Sequence, residues 1–446
     1  MDFVKLRLAL ILFAATLLFV PPRLSAQTNG ALAADPFVKK DAPAPPQQKG
    51  PVVNIVLTFE FYEINQTEGA QLLQQTSSVQ ARYDQLGDLV KRGKARLDAL
   101  ISGVQEPGQQ STLEQCDTFP YAIAFQATSM NSQVSLRATD FKRRNLGYRV
   151  IFKSNESADQ KSCYVNLFPE HTRLAGIVDQ SSLINNLTCV VPQPVFNAQR
   201  VNVGALLFPY GPIWFVNTFN PPPLPVTAKK GQASGQPAEP QMGLIFARAS
   251  RIRYEPTAET VEPFAPLDVE ISIYSMERGL ARQVLAEPPK GDSTYRAVQS
   301  LLTAGQAKLE HVAVIRSPVG VKSNTSEVAE KIYTTGGDDQ WITQDLGFNA
   351  EVRTDLIGNG SLLSFDVTQC QFLTDLGSSQ AEGLAGALTA TQPIFQVQSL
   401  ATKLNSALGT HTLLGTLNRA GDTGIPGQSD DGRVWLAFIQ AANAKP

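Results

Sequence analysis

The chain predicts an α+β, β-rich fold in which one unit is written twice in tandem: a strand, a helix and then an antiparallel meander. Three observations predict it. Apolar residues alternate in VNIVLTFEFYE (Val53, Ile55, Leu57, Phe59, Phe61) and again in LDVEISIYSME (Val269, Ile271, Ile273), the period of a half-buried strand. Each strand leads into helix-compatible sequence that stops at a glycine, and these glycines, Gly93 in RGKARL and Gly305 in AGQAKL, stand 305 − 93 = 212 positions apart. A Gln-Pro-aliphatic-Phe run opens a late strand in each half, with Pro194 and Phe196 in the first and Pro393 and Phe395 in the second. Matching blocks in the same order are the signature of a repeat.

At the start, Lys5 and Arg7 precede an apolar run from Leu8 to Val20, followed by Pro21, Pro22 and Leu24-Ser25-Ala26. That order predicts a secretory signal peptide over residues 1–26, because a membrane anchor would need about 20 apolar residues without prolines. Residues 27–50 are rich in Pro, Ala and Gln and read as a disordered linker. The first unit is then 51–253 and the second 254–446. In the helix, Tyr83, Leu86, Leu89 and Val90 match Tyr295, Val298, Leu301 and Leu302, a spacing that lines one stripe. A left-handed C-cap is expected at Gly93 and Gly305. Tyr121 and Tyr333 keep the offset of 212, whereas LGYRVIFKSN from Leu146 and LGFNAEVRTD from Leu346 stand 200 apart, so twelve residues are lost from a loop. Each half closes on a β-rich run, GLIFARASRI or RVWLAFIQA, and the Pro-rich stretch from Pro221 to Gln241 reads as a long loop or linker.

Of the 446 residues 43% are hydrophobic, enough for more than one core, and the formal net charge of −2 leaves no basic face for a nucleic-acid backbone. No later segment is long and apolar enough to span a membrane as a helix. Export permits disulfides, and the four cysteines are Cys116, Cys163, Cys189 and Cys370. The pair to test first is Cys163 with Cys189, both on predicted strands of the first unit; buried unpaired thiols are the alternative. The histidines His171, His311 and His411 are far apart and read as partly solvated strand residues rather than ligands. Neither a hydrolase, a P-loop nor a dinucleotide motif occurs, so no enzyme, cofactor or metal site is expected. Asp338-Asp339 and Asp430-Asp431 lack the spacing of a calcium loop and read as solvated turns. Glu63 and Glu277, each at the end of a first strand, read as capping or edge-protecting groups. Trp214 and Trp435 read as core residues, with a sugar-stacking or docking platform as the alternative.

The series strand with terminal Glu, helix, Gly93-Lys94-Ala95-Arg96-Leu97, aromatic Tyr, L-G-[YF], Q-P-[VI]-F and G-x-x-x-[LF]-L-G-x-L resembles the conserved domain of bacterial secretins, the ring proteins of type II and type III secretion and of type IV pili. The second half matches best at its end, where Pro393, Phe395, Thr402, Gly409, Gly415 and Leu417 fall where that family has its P-x-F, Thr, turn Gly and Gly-x-Leu; the first matches best from Gly93 to Tyr121. The membrane-lip signature of that family is missing, and Asn418–Gly432 stands in its place. Neither that segment nor the loop from Pro221 offers the alternating strands of about 10 residues that a lipid-embedded barrel needs. The resemblance implies a non-enzymatic protein of the periplasm or outer membrane, a structural or docking component of a secretion or pilus-type assembly, with protein partners that include copies of itself. A soluble periplasmic module that holds a glycan or peptide is the alternative.

Overall fold

The computed structural model describes residues 52–444 except 77, 131–132, 221–239, 256–260, 262–264, 335–340, 358–361, 379–391, 422 and 426–429. The expected signal peptide and linker, most of the Pro221–Gln241 stretch, and Asp338-Asp339 lie outside the described residues. The first half contributes β1 (Val52–Asn65), α1 (Gln66–Gln75), α2 (Val79–Lys91), β2 (Ala95–Gln105), β3 (Gln110–Met130), β4 (Gln133–Glu156), β5 (Ser162–Ile184), β6 (Leu187–Arg200), β7 (Val203–Pro209), β8 (Ile213–Phe219) and β9 (Gln241–Tyr254). The second contributes β10 (Pro266–Glu277), α3 (Arg278–Ala286), α4 (Ser293–Thr303), β11 (Ala307–Pro318), β12 (Lys322–Thr334), β13 (Trp341–Ile357), β14 (Leu362–Ser378), β15 (Pro393–Ala407), β16 (Thr412–Thr416) and β17 (Arg433–Asn443).

Alternation in β1 sends Phe59 and Phe61 toward the second sheet, where Phe59 meets Phe152 at 5.7 Å between ring centres. It sends Tyr62 and Ile64 toward the helices, where they share a smaller core with Tyr83, Leu86, Leu89 and Phe246. β1, covered on both faces, is buried almost throughout. One extra residue bulges from the strand paired with it: Phe61 faces Ala99 and Tyr62 faces Leu97, so Asp98 is left over, and in the second half Glu310 is left over in the same way. Each bulged carboxylate is held by the cation two positions earlier, Arg96 at 2.9 Å and Lys308 at 2.7 Å.

The sequence predicts one helix per half; the structure has two. The Asn65 side chain caps α1 by accepting from Thr67 N at 2.8 Å, and Glu277 caps α3 by accepting from Gly279 N at 2.9 Å. Asn65 and Glu277 are themselves 212 apart, so Glu277 corresponds to Asn65 and not to Glu63. Glu63 instead pairs with Arg96 and Arg173. Gly93 and Gly305 end α2 and α4 with φ of +69° and +72°, each donating to the carbonyl three residues back at 3.0 Å, as a left-handed cap requires.

One eight-stranded antiparallel sheet runs β11-β10-β17-β16-β2-β1-β9-β8, and a nine-stranded one runs β12-β13-β14-β15-β3-β4-β5-β6 with β7 beside β5. In both, four strands of the second half are followed by four of the first in the same internal order. Gln47–Pro446 forms one unit, and both sheets run across the predicted boundary at 253/254. The local geometry repeats as well. Gly108 N donates to Ser154 O at 2.6 Å and Gly320 N to Thr354 O at 2.7 Å. Bulges fall between Phe215 and Asn217 in β8 and between Leu413 and Gly415 in β16.

Gly147 and Gly347 lie at φ of +125° and +131°, and a Cβ there would stand 2.2 Å from Gln115 O and 2.3 Å from Glu327 O. Gly147→Ala and Gly347→Ala should each cost about 2–4 kcal/mol, because neighbouring backbone cannot recede. Gly305→Ala, in open space, should cost only about 1–2 kcal/mol for its left-handed conformation. Urea midpoints of the three variants check the ranking.

Candidate functional site

Several residues singled out from sequence, among them Phe395, Thr402, Gly415 and Leu417, lie at the seam where the two halves join. At the seam β15 pairs with β3 from Phe395↔Thr118 to Ala401↔Thr112, and β16 meets β2 at Gly415↔Gly103. Only glycine fits at Gly415, whose Cβ would lie 2.7 Å from Ser102 O. Thr402 is buried with its hydroxyl 2.8 Å from Ser111 Oγ, and Leu417, fully buried, donates its N–H to Trp435 O at 2.9 Å. Gly409 turns β15 into β16 at φ +73°. Pro393 begins β15 and Pro194 lies within β6. The two aromatic motifs meet in space equally in both halves: Tyr121 packs on Phe196 at 5.5 Å, and Tyr333 on Phe395 at 5.6 Å. Arg143 of the first half lies over both Tyr333 and Phe395 of the second, at 4.9 and 4.7 Å. The segment in place of the lip signature lies against the first half: Leu174 N donates to Thr423 O at 2.8 Å.

Sequence reasoning missed the strongest seam contacts. Glu60, 5% exposed, accepts from Tyr62 Oη over a short contact and from Tyr83 Oη at 2.7 Å, and it pairs with Arg282 of α3 at 3.0 Å. Arg282 also donates to Tyr83 Oη at 3.1 Å and lies over its ring. Burial and the adjacent carboxylate push both tyrosine hydroxyls up, Tyr83 to about 12, so they remain donors. From the same helix, Arg278 donates to Leu97 O at 2.6 Å and pairs with Asp430. Asn54 Nδ2 donates to Asn405 O at 2.7 Å, and Asn405 N returns a bond to Asn54 Oδ1 at 2.9 Å. Asp117 faces Gln396 across β3 and β15, and burial pushes its carboxyl up to about 7 despite hydrogen bonds from Gln396 and Thr423.

Cys163 and Cys189 do not pair. Both are buried free thiols, in different clusters, with Cys189 opposite Ser182 on β5. From Cys163 to Ser182 is 19 residues of strand, about 60 Å, far beyond disulfide reach. Cys116 and Cys370 are buried and unpaired too. His171 stacks on Tyr148 at 4.1 Å, His411 on Tyr295 at 3.7 Å, and His311 leans on Phe348 at 4.2 Å, three separate places. Trp435 is buried against Phe372, whereas Trp214 is half-buried against Phe208. Asp431 pairs with Arg419. Among the described residues no group of three or more His, Cys, Asp or Glu is arranged to hold a metal. A cavity of about 20 Å³ beside Asp98, Tyr148, His171 and Arg173 has room for one water.

At the outer edges, positions equivalent to seam residues are bare. Leu100 and Ser102 on β2 are fully buried, while their counterparts on β11, Val312 and Val314, are 48% and 59% exposed. Cys116 on β3 is buried and Val328 on β12 is exposed. The opposite edge shows Leu183, Val190 and Leu207 on β5, β6 and β7.

No protein-family model matches the chain, and no curated protein matches it. Two solved structures are similar to it. The pilotin–secretin AspS–GspD complex of ETEC is 8% identical over 88% of this chain and 49% of that one, with a TM-score of 0.22. The type IV competence pilus secretin PilQ of V. cholerae is 6% identical over 89% of this chain and 61% of that one, with a TM-score of 0.23. The chain thus spans about half to three fifths of their length.

Arg282→Ala should cost about 3–5 kcal/mol, since it leaves Glu60 buried and uncompensated, and Glu60→Gln with Arg282→Met should recover most of that loss in guanidinium unfolding. A second outcome concerns pH. The folded Asp117 carboxyl keeps its proton up to about 7, whereas the unfolded chain releases it near 4, so its contribution is complete below about pH 4 and lost as pH rises to about 7. Asp117→Asn should therefore gain stability over the native chain at pH 8 relative to pH 5, read as the difference in urea midpoints.

Proposed function

We propose that this is an exported, non-enzymatic structural component of an envelope secretion or pilus-type assembly, built by duplication of a secretin-like unit and joined to its neighbours through sheet edges. One observation carries the reading: both sheets repeat the same four-strand order and stop at edges whose exposed apolar residues are buried at the equivalent seam positions. An open edge presents unpaired N–H and C=O groups and must be covered, charged or paired. Here β11 and β12 expose Val312, Val314 and Val328 between the charged side chains of Lys308, Arg316, Lys322 and Glu327. A second copy of the chain, offering β8 and β6 as the seam offers β16 and β15, supplies both partners. Such a contact is head-to-tail and closes into a ring or runs on as a filament. The secretin resemblance in sequence and the expected signal peptide both support an envelope location for such a ring.

Fractionation with native-mass measurement tests this. A membrane-associated multimer is expected; a soluble monomer at every concentration would favour a periplasmic binding module instead. Val314→Lys, on an exposed strand face, should leave the urea midpoint unchanged within about 0.5 kcal/mol while reducing self-association at least tenfold.

A further inference from the structure

Resting on that reading, the two halves differ where a joint would form. The counterparts of the seam cluster, 212 positions away, are Ser272 for Glu60, Tyr274 for Tyr62, Tyr295 for Tyr83, and Ala70 for Arg282. Both tyrosines are kept and both charges are absent. Arg278 has Gln66 as its counterpart, so the bond to the β2 carbonyl loses its guanidinium. Ser272 is buried with no hydrogen-bond partner for its hydroxyl, and the hydroxyls of Tyr274 and Tyr295 lie 3.5 Å apart with only each other in reach. The close approach at the seam has no outer copy either. By the matching bulges Asn217 stands where the seam has Gly415, and Ile315 stands where it has Gly103.

We infer that assemblies of this chain alternate two kinds of joint: a fixed one inside each chain, held by Glu60, Arg282, Tyr62 and Tyr83, and a separable one between chains, which lacks the ion pair and the glycine contact. The surface made by β10, β11 and α4 takes β8 and α1 of a second copy, and the assembly opens and grows in steps of one chain, two units at a time. Removing a buried charge from one side only is strongly destabilising, whereas removing both sides together leaves a neutral contact, and the outer positions have the second pattern. The outer joint therefore has no counterpart of the buried Glu60–Arg282 pair, and its dissociation strands no such pair.

The test uses the full chain and two variants. Ala70→Arg with Ser272→Glu writes the seam cluster into the outer joint; it should lower the concentration at which the assembly dissociates by at least tenfold, read by analytical ultracentrifugation. Glu60→Ser with Arg282→Ala writes the outer pattern into the seam; it should split the single urea transition into two. A native chain that self-associates, with the first variant's dissociation unchanged or weakened, overturns the inference and leaves the structural reading standing. A native chain that never self-associates overturns both. Should the first variant not fold, the second decides alone: an unsplit transition overturns the inference.

Discussion

Unpaired strand edges govern this molecule. A sheet ends in a row of N–H and C=O groups that neither water exclusion nor side-chain packing satisfies, and here each of the four four-stranded sets has two such edges. The seam resolves four of these eight edges by continuing the sheets, β16 onto β2 and β15 onto β3. That the continuation occurs in both sheets at once restricts the geometry: a slip in one would have to be matched in the other, and a slip of one residue turns every side chain to the wrong face. Reciprocal bonds between Asn54 on β1 and Asn405 on β15 tie one sheet to the other across the two halves.

Buried charge follows the same constraint. Glu60 and Asp117 are carboxylates with almost no exposure, and both lie along the seam rather than within either half's own core. Burying a charged pair adds little net stability over an apolar pair, but removing one partner is costly, so such groups select a particular partner more than they strengthen attachment. Glu60 is held by the Arg282 cation and two tyrosine hydroxyls; Asp117, protonated up to about 7, faces an uncharged neighbour in Gln396. The two sheets are thus keyed by different chemistry, an ion pair in one and a neutral acid in the other.

Much of the repeat was legible because it is written in local, periodic terms. Alternation in β1 and β10, the stripe of Tyr83, Leu86 and Leu89, and the caps at Gly93 and Gly305 all depend on residues a few positions apart, and all appear in the structure. The pairing of Tyr121 with Phe196 and of Tyr333 with Phe395 was visible as repeated residue types, though not as contact. The seam was illegible because its partners are about 220 to 350 residues apart and carry no shared period: Glu60 finds Arg282, and Asn54 finds Asn405. The break between α1 and α2 was missed since polar, Gln-rich sequence runs through it. Cys163 and Cys189 looked close because they share adjacent strands, yet strands of 23 and 14 residues separate positions by tens of ångströms.

What most separates the halves is therefore found by subtraction. Where the two copies agree, as at Gly147 and Gly347 or at the bulged acids Asp98 and Glu310, the residue serves the unit's own fold, and either copy needs it. Where they disagree at a position buried in one copy and bare in the other, the residue serves the contact between units. Ser102 against Val314 and Cys116 against Val328 belong to this second class, each buried at the seam and exposed at its outer equivalent, whereas Glu60 and Ser272 are both buried and differ in charge. The strand order of the two halves is the same, and what differs is cover: β2 and β3 continue into β16 and β15, while β11 and β12 lie at the ends of their sheets among the described residues.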